Sequence, residues 1–258
     1  MIDSHCHLDD RKYGDRQAEY VRAAAEAGVD TIVNIGVDLP SSQKSVELAE
    51  KFEAMYATVG VHPHDAKTLN DEVLAELRRM TGYKKVVAVG EIGLDYYRDL
   101  SPRAVQRTVF EKQLQMAVET RMPVVIHTRD AFEDTIDVVR NFASSLVGGV
   151  FHCFQETVED AHQVLGLGFI VSVGGIITFP NSGQSKLARE VPLEKVILET
   201  DSPYLTPVPL RGKQNEPANV RFVYEKMAEL KGLPLAEVRR QVDRNCKKFY
   251  RLEETFGG

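Results

Sequence analysis

Two kinds of hydrophobic pattern alternate along the chain. Short runs rich in β-branched residues end in polar residues, and each is followed by a longer stretch with apolar residues at helical spacing. The nearly continuous apolar runs at 86–89 and 124–126 are typical of strands that are covered on both faces, as in a parallel sheet. The pattern therefore predicts alternating strands and helices around a parallel β-sheet.

The strand–helix unit recurs around the whole chain. The predicted strands are residues 1–8, 29–36, 55–62, 86–92, 123–128, 148–153, 169–174 and 196–201. The predicted helices are residues 15–27, 41–52, 71–80, 102–120, 131–142, 157–165, 218–231 and 235–250. Eight strands in 258 residues favour an α/β fold of the TIM (β/α)8 barrel type over a doubly wound sheet. The helix at 218–231 would complete the barrel, and the helix at 235–250 would be a C-terminal addition.

Composition and charge narrow the class of protein. Hydrophobic residues make up 43% and charged residues 27% of the chain, and no low-complexity or Gly/Ser-rich linker divides it. We therefore expect one domain over residues 1–258. The formal net charge of −6 excludes a surface that is basic all over, so any nucleic-acid contact must be local.

The cysteines and the first residues of the sequence indicate the cellular compartment of the protein. Cys6, Cys153 and Cys246 are too few and too scattered for a disulfide framework, which predicts a reducing environment. The opening residues MIDSH are not typical of a secretory signal, and no apolar run reaches about 18 residues. The sequence predicts a cytoplasmic protein with no membrane contact and gives no sign of an obligate protein partner.

Histidines are concentrated where a barrel has its active site. Six of the seven lie at or just after the C-terminal end of a predicted strand, and these are His5, His7, His62, His64, His127 and His152. The C-terminal ends of barrel strands meet at one mouth, where the active sites of such enzymes are found. The positions therefore predict a functional site at this mouth, whereas His162 lies within a helix.

The histidine positions also suggest metal binding. Side chains two residues apart on a strand share a face, so His5 and His7 are expected to project together into the barrel. Taken alone, such a pair is explained equally well by two surface or internally bonded histidines. With Glu91, His127, His152 and Asp201 at four other strand ends, however, the donors exceed what one zinc ion needs and suggest two metals that share a bridge.

Alternation and small residues give three further expectations at the mouth. Glu199 is expected to point to the same side as Asp201 and to orient a metal ligand. Ser4, Ser202 and Cys153 are expected to face away from the ligands beside them. Gly90 and Gly93 are expected to leave room for a large group beside the backbone.

Six stretches together resemble the TatD-type metal-dependent deoxyribonucleases, a branch of the amidohydrolase-like barrels. They are DSHCHLD at 3–9, GVHPH at 60–64, GEIGLDY at 90–96, HTR at 127–129, HCF at 152–154 and ETDSPYL at 199–205. The resemblance implies a TIM barrel with two divalent cations per chain. It implies that the ligands of one cation are His5, His7 and Asp201, those of the other are His127 and His152, and the bridge is Glu91. The donor types among the candidate ligands allow Mg, Mn or Zn.

The implied reaction is phosphodiester hydrolysis by a metal-activated hydroxide, with Asp201 as general base beside Glu91. The candidate substrate-binding residues are His62, His64, Arg129, Tyr96, Arg211 and Asn215. Positive charge focused in the mouth of an acidic protein suits a strand end. Together with the resemblance, which carries more weight for the substrate, this leads us to expect a 3′-end exonuclease acting on single-stranded DNA.

Two other functions stay open at this point. The same metals could hydrolyse an ester or amide bond, as in a D-aminoacyl-tRNA deacylase, with an aminoacyl-tRNA or a small ester as the substrate. A metal-binding protein without catalytic activity is the third reading. Loss of a ligand would favour it, but all six ligand positions are filled.

Overall fold

Eight strands alternate with helices in the computed structural model, which describes residues 1–180 and 182–252. The strands are β1 (Ile2–Cys6), β2 (Thr31–Asn34), β3 (Met55–Val59), β4 (Val86–Asp95), β5 (Val124–Arg129), β6 (Gly149–Phe151), β7 (Ile170–Val173) and β8 (Val196–Leu198). The α-helices are α1 (Gln17–Glu26), α2 (Leu39–Lys51), α3 (Asp71–Met80), α4 (Arg103–Thr120), α5 (Phe132–Arg140), α6 (Val158–Gly166), α7 (Gly183–Glu190), α8 (Val220–Lys231) and α9 (Leu235–Tyr250).

The strands form one parallel sheet in sequence order, from β1 to β8. A single parallel bridge between Cys6 and Ser202 joins the two ends of the sheet. Beside this bridge the amide of His7 donates to the carbonyl of Ser202 (2.8 Å), and the amide of Asp201 donates to the carbonyl of His5 (2.9 Å). The predicted TIM barrel is confirmed, with α8 as its eighth helix and α9 as an addition.

Buried side chains reinforce the junction of β1 and β8. The carboxylate of Asp3 accepts hydrogen bonds from the amide (2.9 Å) and hydroxyl (2.7 Å) of Thr200. Burial raises the pKa of Asp3 to about 8, although the bonds from Thr200 lower it. From α9, the hydroxyl of Tyr250 donates to the carbonyl of Ser4 (2.9 Å), and the amide of Asn245 donates to the carbonyl of Val196 (2.8 Å). These side-chain hydrogen bonds therefore add to the backbone bonds that join the first and last strands.

One helix was not identified from the sequence. α7 lies between β7 and β8, and it begins where the Ser182 hydroxyl accepts the amide of Gln184. Its buried residues are Gln184, Leu187 and Ala188, so only two of them are apolar. This short helix therefore presents too little apolar periodicity for the pattern to reveal it.

Strand β4 differs from its prediction in a way that matters for the site. It continues to Asp95 instead of ending at residue 92. A Cβ atom on Gly93 would clash with the carbonyl oxygen of His127, and one on Gly90 would lie 2.6 Å from the Cβ of Val125. The expectation that these glycines leave room for a large group was wrong, because the backbone of β5 occupies that space.

No helix among the described residues is long and apolar enough to cross a bilayer. The predicted domain of 1–258 includes residue 181 and residues 253–258, which lie outside the described residues. The extent of the domain therefore stays a prediction.

Candidate metal centre

Glu91 lines a cavity of about 640 Å³ at the carboxyl ends of the strands. Its two oxygens face different histidines. Oε2 lies 3.4 Å from Nε2 of His5 and 3.9 Å from Nε2 of His7. Oε1 lies 2.7 Å from Nε2 of His152 and 2.9 Å from Nδ1 of His127. One buried carboxylate therefore contacts two separate pairs of histidines.

The first pair, His5 and His7, also contacts a second carboxylate, that of Asp201. Nε2 of His5 and Nε2 of His7 are 3.3 Å apart, and Oδ1 of Asp201 lies 3.4 Å from His7 and 3.7 Å from His5. Burial lowers the pKa of His7, but contacts with Asp201 and Glu91 outweigh burial and raise it to about 9. Burial also raises the pKa of Asp201, but His7 and its neighbours hold it below its usual value. Asp201 is therefore a charged acceptor at the edge of this group.

The second group includes a histidine that we expected to contact substrate. Nδ1 of His127 and Nε2 of His152 are 3.3 Å apart, and Nε2 of His62 lies 3.5 Å from Oε1 of Glu91. Burial raises the pKa of Glu91, but the histidines around it hold that pKa well below its usual range. An ionised carboxylate between imidazole rings is a donor set that suits a divalent cation.

Within residues 1–180 and 182–252, three groups of donor atoms are compact enough to share a cation. In each, the ring nitrogens and carboxylate oxygens lie within 4.8 Å of one another, and the groups are His5, His152 and Asp201; His5, His7 and Glu91; and His62, Glu91 and His127. The overlap through His5 and Glu91 indicates a continuous centre. Its mixture of imidazole and carboxylate donors fits zinc or manganese and also allows magnesium.

Glu199 contacts one of these histidines, as the sequence predicts, although it lies just after the end of β8 at Leu198. Its Oε1 lies 3.3 Å from Nδ1 of His152, while its Oε2 accepts a hydrogen bond from the hydroxyl of Ser172 (2.5 Å). Glu199 is fully buried. A carboxylate behind a ligating histidine fixes the ring and the nitrogen that faces the metal.

Asp95 has the same relation to His127, and the sequence analysis missed it. Its Oδ2 lies 3.0 Å from Nε2 of His127 and 3.0 Å from Nε2 of His64, and its Oδ1 accepts the amide of Arg98 (2.7 Å). The carboxylate is almost fully buried. A usable signal was present, because Asp95 lies four residues after Glu91 and therefore on the same face of β4.

His62 and His64 lie on either side of Pro63, the first residue of a short 3-10 helix, Pro63–Thr68. Nδ1 of His62 accepts the amide of His64 (3.2 Å), and the two rings are inclined at 73°. Both line the cavity. His62 therefore faces Glu91 while His64 faces Asp95.

Of the remaining substrate candidates, the structure brings Arg129 to the cavity. Its guanidinium lies 3.9 Å from the centre of the Tyr97 ring. Tyr96 instead donates its hydroxyl to Asp134 (2.7 Å), and its side chain does not line the cavity. The predicted role of Arg129 in substrate binding stays open, whereas Tyr96 has a structural contact.

Arg211 and Asn215 also lie away from the cavity lining. The Arg211 guanidinium packs on the Phe179 ring, 3.9 Å from its centre. Asn215 is fully buried, and its amide donates to the carbonyls of Thr200 (3.0 Å) and Tyr204 (2.7 Å). These bonds occupy the Asn215 amide in holding the loop that follows β8, and the substrate-binding roles of Arg211 and Asn215 stay predictions.

Cys153 corrects another expectation. It lines the cavity beside His152 instead of facing away from it. Strand β6 ends at Phe151, and Cys153 has a positive φ of 43°, so strand alternation does not extend to it. Burial raises the pKa of its thiol well above the usual value, which keeps the thiol neutral.

Comparison with known proteins gives one consistent family. The family described as TatD related DNase matches residues 2–251. The uncharacterized metal-dependent hydrolase YabD of Bacillus subtilis is 38% identical over 253 residues, which cover 98% of this chain and 99% of YabD. The 3′-5′ ssDNA/RNA exonuclease TatD of Cronobacter sakazakii is 32% identical over 256 residues, with 97% of each protein covered.

A solved structure agrees with these relatives. The crystal structure of YjjV, a TatD homolog from Escherichia coli K12, superposes with a TM-score of 0.92 at 29% identity and covers 97% of this chain and 98% of its own. The resemblance and the metal-dependent hydrolase class predicted from the sequence are thereby confirmed. The chain belongs to the TatD-related DNase family.

Proposed function

We propose that this protein is a divalent-metal-dependent exonuclease that shortens single-stranded DNA from its 3′ end. The proposal rests on one observation: the two oxygens of the buried Glu91 carboxylate face two separate sets of histidines. The relative from Cronobacter sakazakii that is named a 3′-5′ ssDNA/RNA exonuclease supports the substrate and the direction.

The residues of the centre divide into two ligand sets around Glu91. Two cations would be held by His5, His7 and Asp201 on one side and by His127 and His152 on the other, with Glu91 between them. His62 reaches the same oxygen of Glu91 as the second set and is a further donor there. Bound at this centre, divalent cations lower the pKa of water and offset the charge that develops on the phosphate.

The protein itself supplies the proton acceptor. Asp201 is ionised, and its side chain is 16% exposed, so its carboxylate can reach a water molecule in the cavity. In our proposal it accepts the proton of the attacking water as general base. His64 is more exposed and is held by Asp95, which places its ring at the cavity wall for contact with the substrate phosphate.

Charge at the mouth determines which part of a nucleic acid can bind. Arg98 and Arg129 line the cavity, while the chain as a whole has a net charge of −6. Few phosphates can therefore be neutralised, which favours a strand end over a long duplex.

The three cysteines are free and buried, and we place the protein in the cytoplasm on that ground.

The test uses metal-stripped protein reloaded with manganese, magnesium or zinc. We expect up to two cations per chain and metal-dependent shortening of a single-stranded oligonucleotide from its 3′ end, while a closed single-stranded circle of the same sequence survives. Asp201→Asn is expected to retain metal and to lower turnover about 100-fold or more, because it removes the base.

Three outcomes would contradict parts of the proposal. Nicking of the closed circle would indicate an endonuclease. Turnover of an aminoacyl ester without any cleavage of DNA would favour the deacylase alternative. Saturation at one cation per chain would exclude the two-metal centre.

A further inference from the structure

Exposed apolar side chains are concentrated at the mouth of the barrel. The large hydrophobic residues that are exposed among residues 1–180 and 182–252 are Tyr97, Leu100, Val147, Tyr204, Val208 and Leu235. Four of these six lie in the loops that follow β4 and β8. Tyr204 is the aromatic member that also lines the cavity, and it is 45% exposed.

The Tyr204 ring is fixed in position beside the metal centre. Its hydroxyl donates to Oδ2 of Asp10 (2.8 Å), and its backbone carbonyl accepts the amide of Asn215 (2.7 Å). The centre of the ring lies 6.4 Å from the centre of the His7 ring. An exposed aromatic ring that is already held in place can stack on a flat ligand with little further loss of entropy.

A cation accompanies this ring. The Lys12 ammonium lies 4.2 Å from the centre of the Tyr204 ring and forms no ion pair within the described part of the chain. Because Lys12 lies over one face of the ring, a base would stack on the opposite face. An aromatic ring with a cation against it matches a nucleotide, which carries a base and a phosphate.

The two sides of the mouth differ in charge. Arg98 lies on the loop after β4 and Arg129 is the last residue of β5, and they are the arginine or lysine residues that line the cavity among those described. The body of a DNA strand brings more phosphates than a single terminal nucleotide does. The arginine side is therefore suited to the body of the strand, and the Tyr204 side to its end.

We infer that Tyr204 stacks on the base of the 3′-terminal nucleotide, with Lys12 beside it to contact phosphate. This inference rests on the proposed function and adds a residue that selects for an unpaired terminal base. A base within a duplex is stacked and paired, so it cannot lie on the ring without being unpaired first.

The test combines variants with abasic substrates. One oligonucleotide is intact, one lacks the 3′-terminal base, and one lacks a base far from that end. For the metal-loaded protein, we expect Tyr204→Ala to lower kcat/KM on the intact strand about 10- to 100-fold. On the strand without its terminal base, wild type and Tyr204→Ala are expected to be equally slow. Tyr204→Phe keeps the ring and is expected to retain most of the rate.

Tyr83→Ala is a matched control. Tyr83 also packs against a cation, since the Arg79 guanidinium lies 5.2 Å from its ring centre, but it precedes β4 at the opposite end of the barrel. We expect no change on any substrate with this variant. Metal content is measured for every variant, so that loss of the centre is distinguished from loss of stacking.

The experiment distinguishes a failure of the stacking inference from a failure of the proposed function. If Tyr204→Ala slows the intact and abasic strands by the same factor, or slows neither, the stacking inference is overturned while the exonuclease remains. If wild type shortens none of the strands in any metal, it is the proposed function that fails.

Discussion

The chain contains two His-x-His pairs that have the same spacing in the sequence but different local backbone structures. His5 and His7 lie at the end of β1, with ring nitrogens 3.3 Å apart, and both approach Glu91. His62 and His64 straddle Pro63, which begins a 3-10 helix. Only the first histidine of this second pair approaches Glu91.

The difference shows what a spacing of two residues can predict. Along a strand it places two side chains on one face, so the first pair acts as a unit. At the start of a 3-10 helix the same spacing turns the second ring away, and His64 reaches Asp95 instead. The pairs therefore differ in the carboxylate they contact, and each of the following variants tests that difference.

The largest effect is expected from the strand pair. His7→Ala removes a ring that contacts both Glu91 and Asp201, so we expect the loss of about one cation per chain and about a 10³-fold fall in kcat/KM. Elemental analysis and DNA cleavage measure the two effects. His162→Ala, which changes an exposed histidine of α6, is the control and should alter neither. Full metal content in His7→Ala would exclude a ligand role.

The next effect is expected from the first histidine of the loop pair. His62→Ala removes a ring 3.5 Å from Glu91, and we expect about a 100-fold fall in kcat/KM with weaker binding of one cation. Titration of stripped protein with manganese measures that affinity. Unchanged metal affinity with a raised KM would place His62 on the substrate instead, as the sequence analysis first suggested.

A smaller effect is expected from Asp95, which contacts His64 of the second pair and also His127. Asp95→Asn preserves the size of the side chain but removes the charge behind two histidines, so metal affinity should fall about 10-fold. Asp134→Asn is a matched change at an acid that contacts Tyr96 and should leave metal affinity unchanged. Equal metal affinity in wild type and Asp95→Asn would show that Asp95 does not orient His127.

The smallest effect is expected from His64. His64→Ala leaves the rings that approach Glu91 in place, so the metal content should not change and KM for DNA should rise about 3-fold. Steady-state kinetics beside elemental analysis separate these effects. If this variant lost a cation, the two histidine pairs would be equivalent and the comparison between them would be wrong.

Much of the fold could be predicted from the sequence because the strand signal is strong in a parallel barrel. The strands are buried on both faces, and all ten residues of β4 are buried, so they stand out as apolar runs. α7 could not be found in this way, since its interior face includes the polar Gln184. Helix recognition depends on apolar spacing, which this helix scarcely has.

The site was predictable where residues lie on strands or directly after them, and less so in the loops beyond. His5, His7 and Glu91 lie on or directly after β1 and β4 and converge at the mouth, as the barrel fold requires. Cys153 lies past the end of its strand with a positive φ, where alternation no longer applies. Asn215 lies in the long loop after β8, and sequence alone cannot show that its amide is turned inward.

The junction of β1 and β8 affects when the enzyme can become active during synthesis. His5 lies in the first strand, His7 directly follows it, and Asp201 follows the last strand, so one of the two proposed ligand sets spans the junction that closes the ring of strands. During translation the ribosome adds His5 and His7 near the start of the chain and Asp201 near its end. A nascent or prematurely released chain without the eighth strand thus has histidines but no Asp201, and the hydrolytic centre is assembled only when the barrel closes.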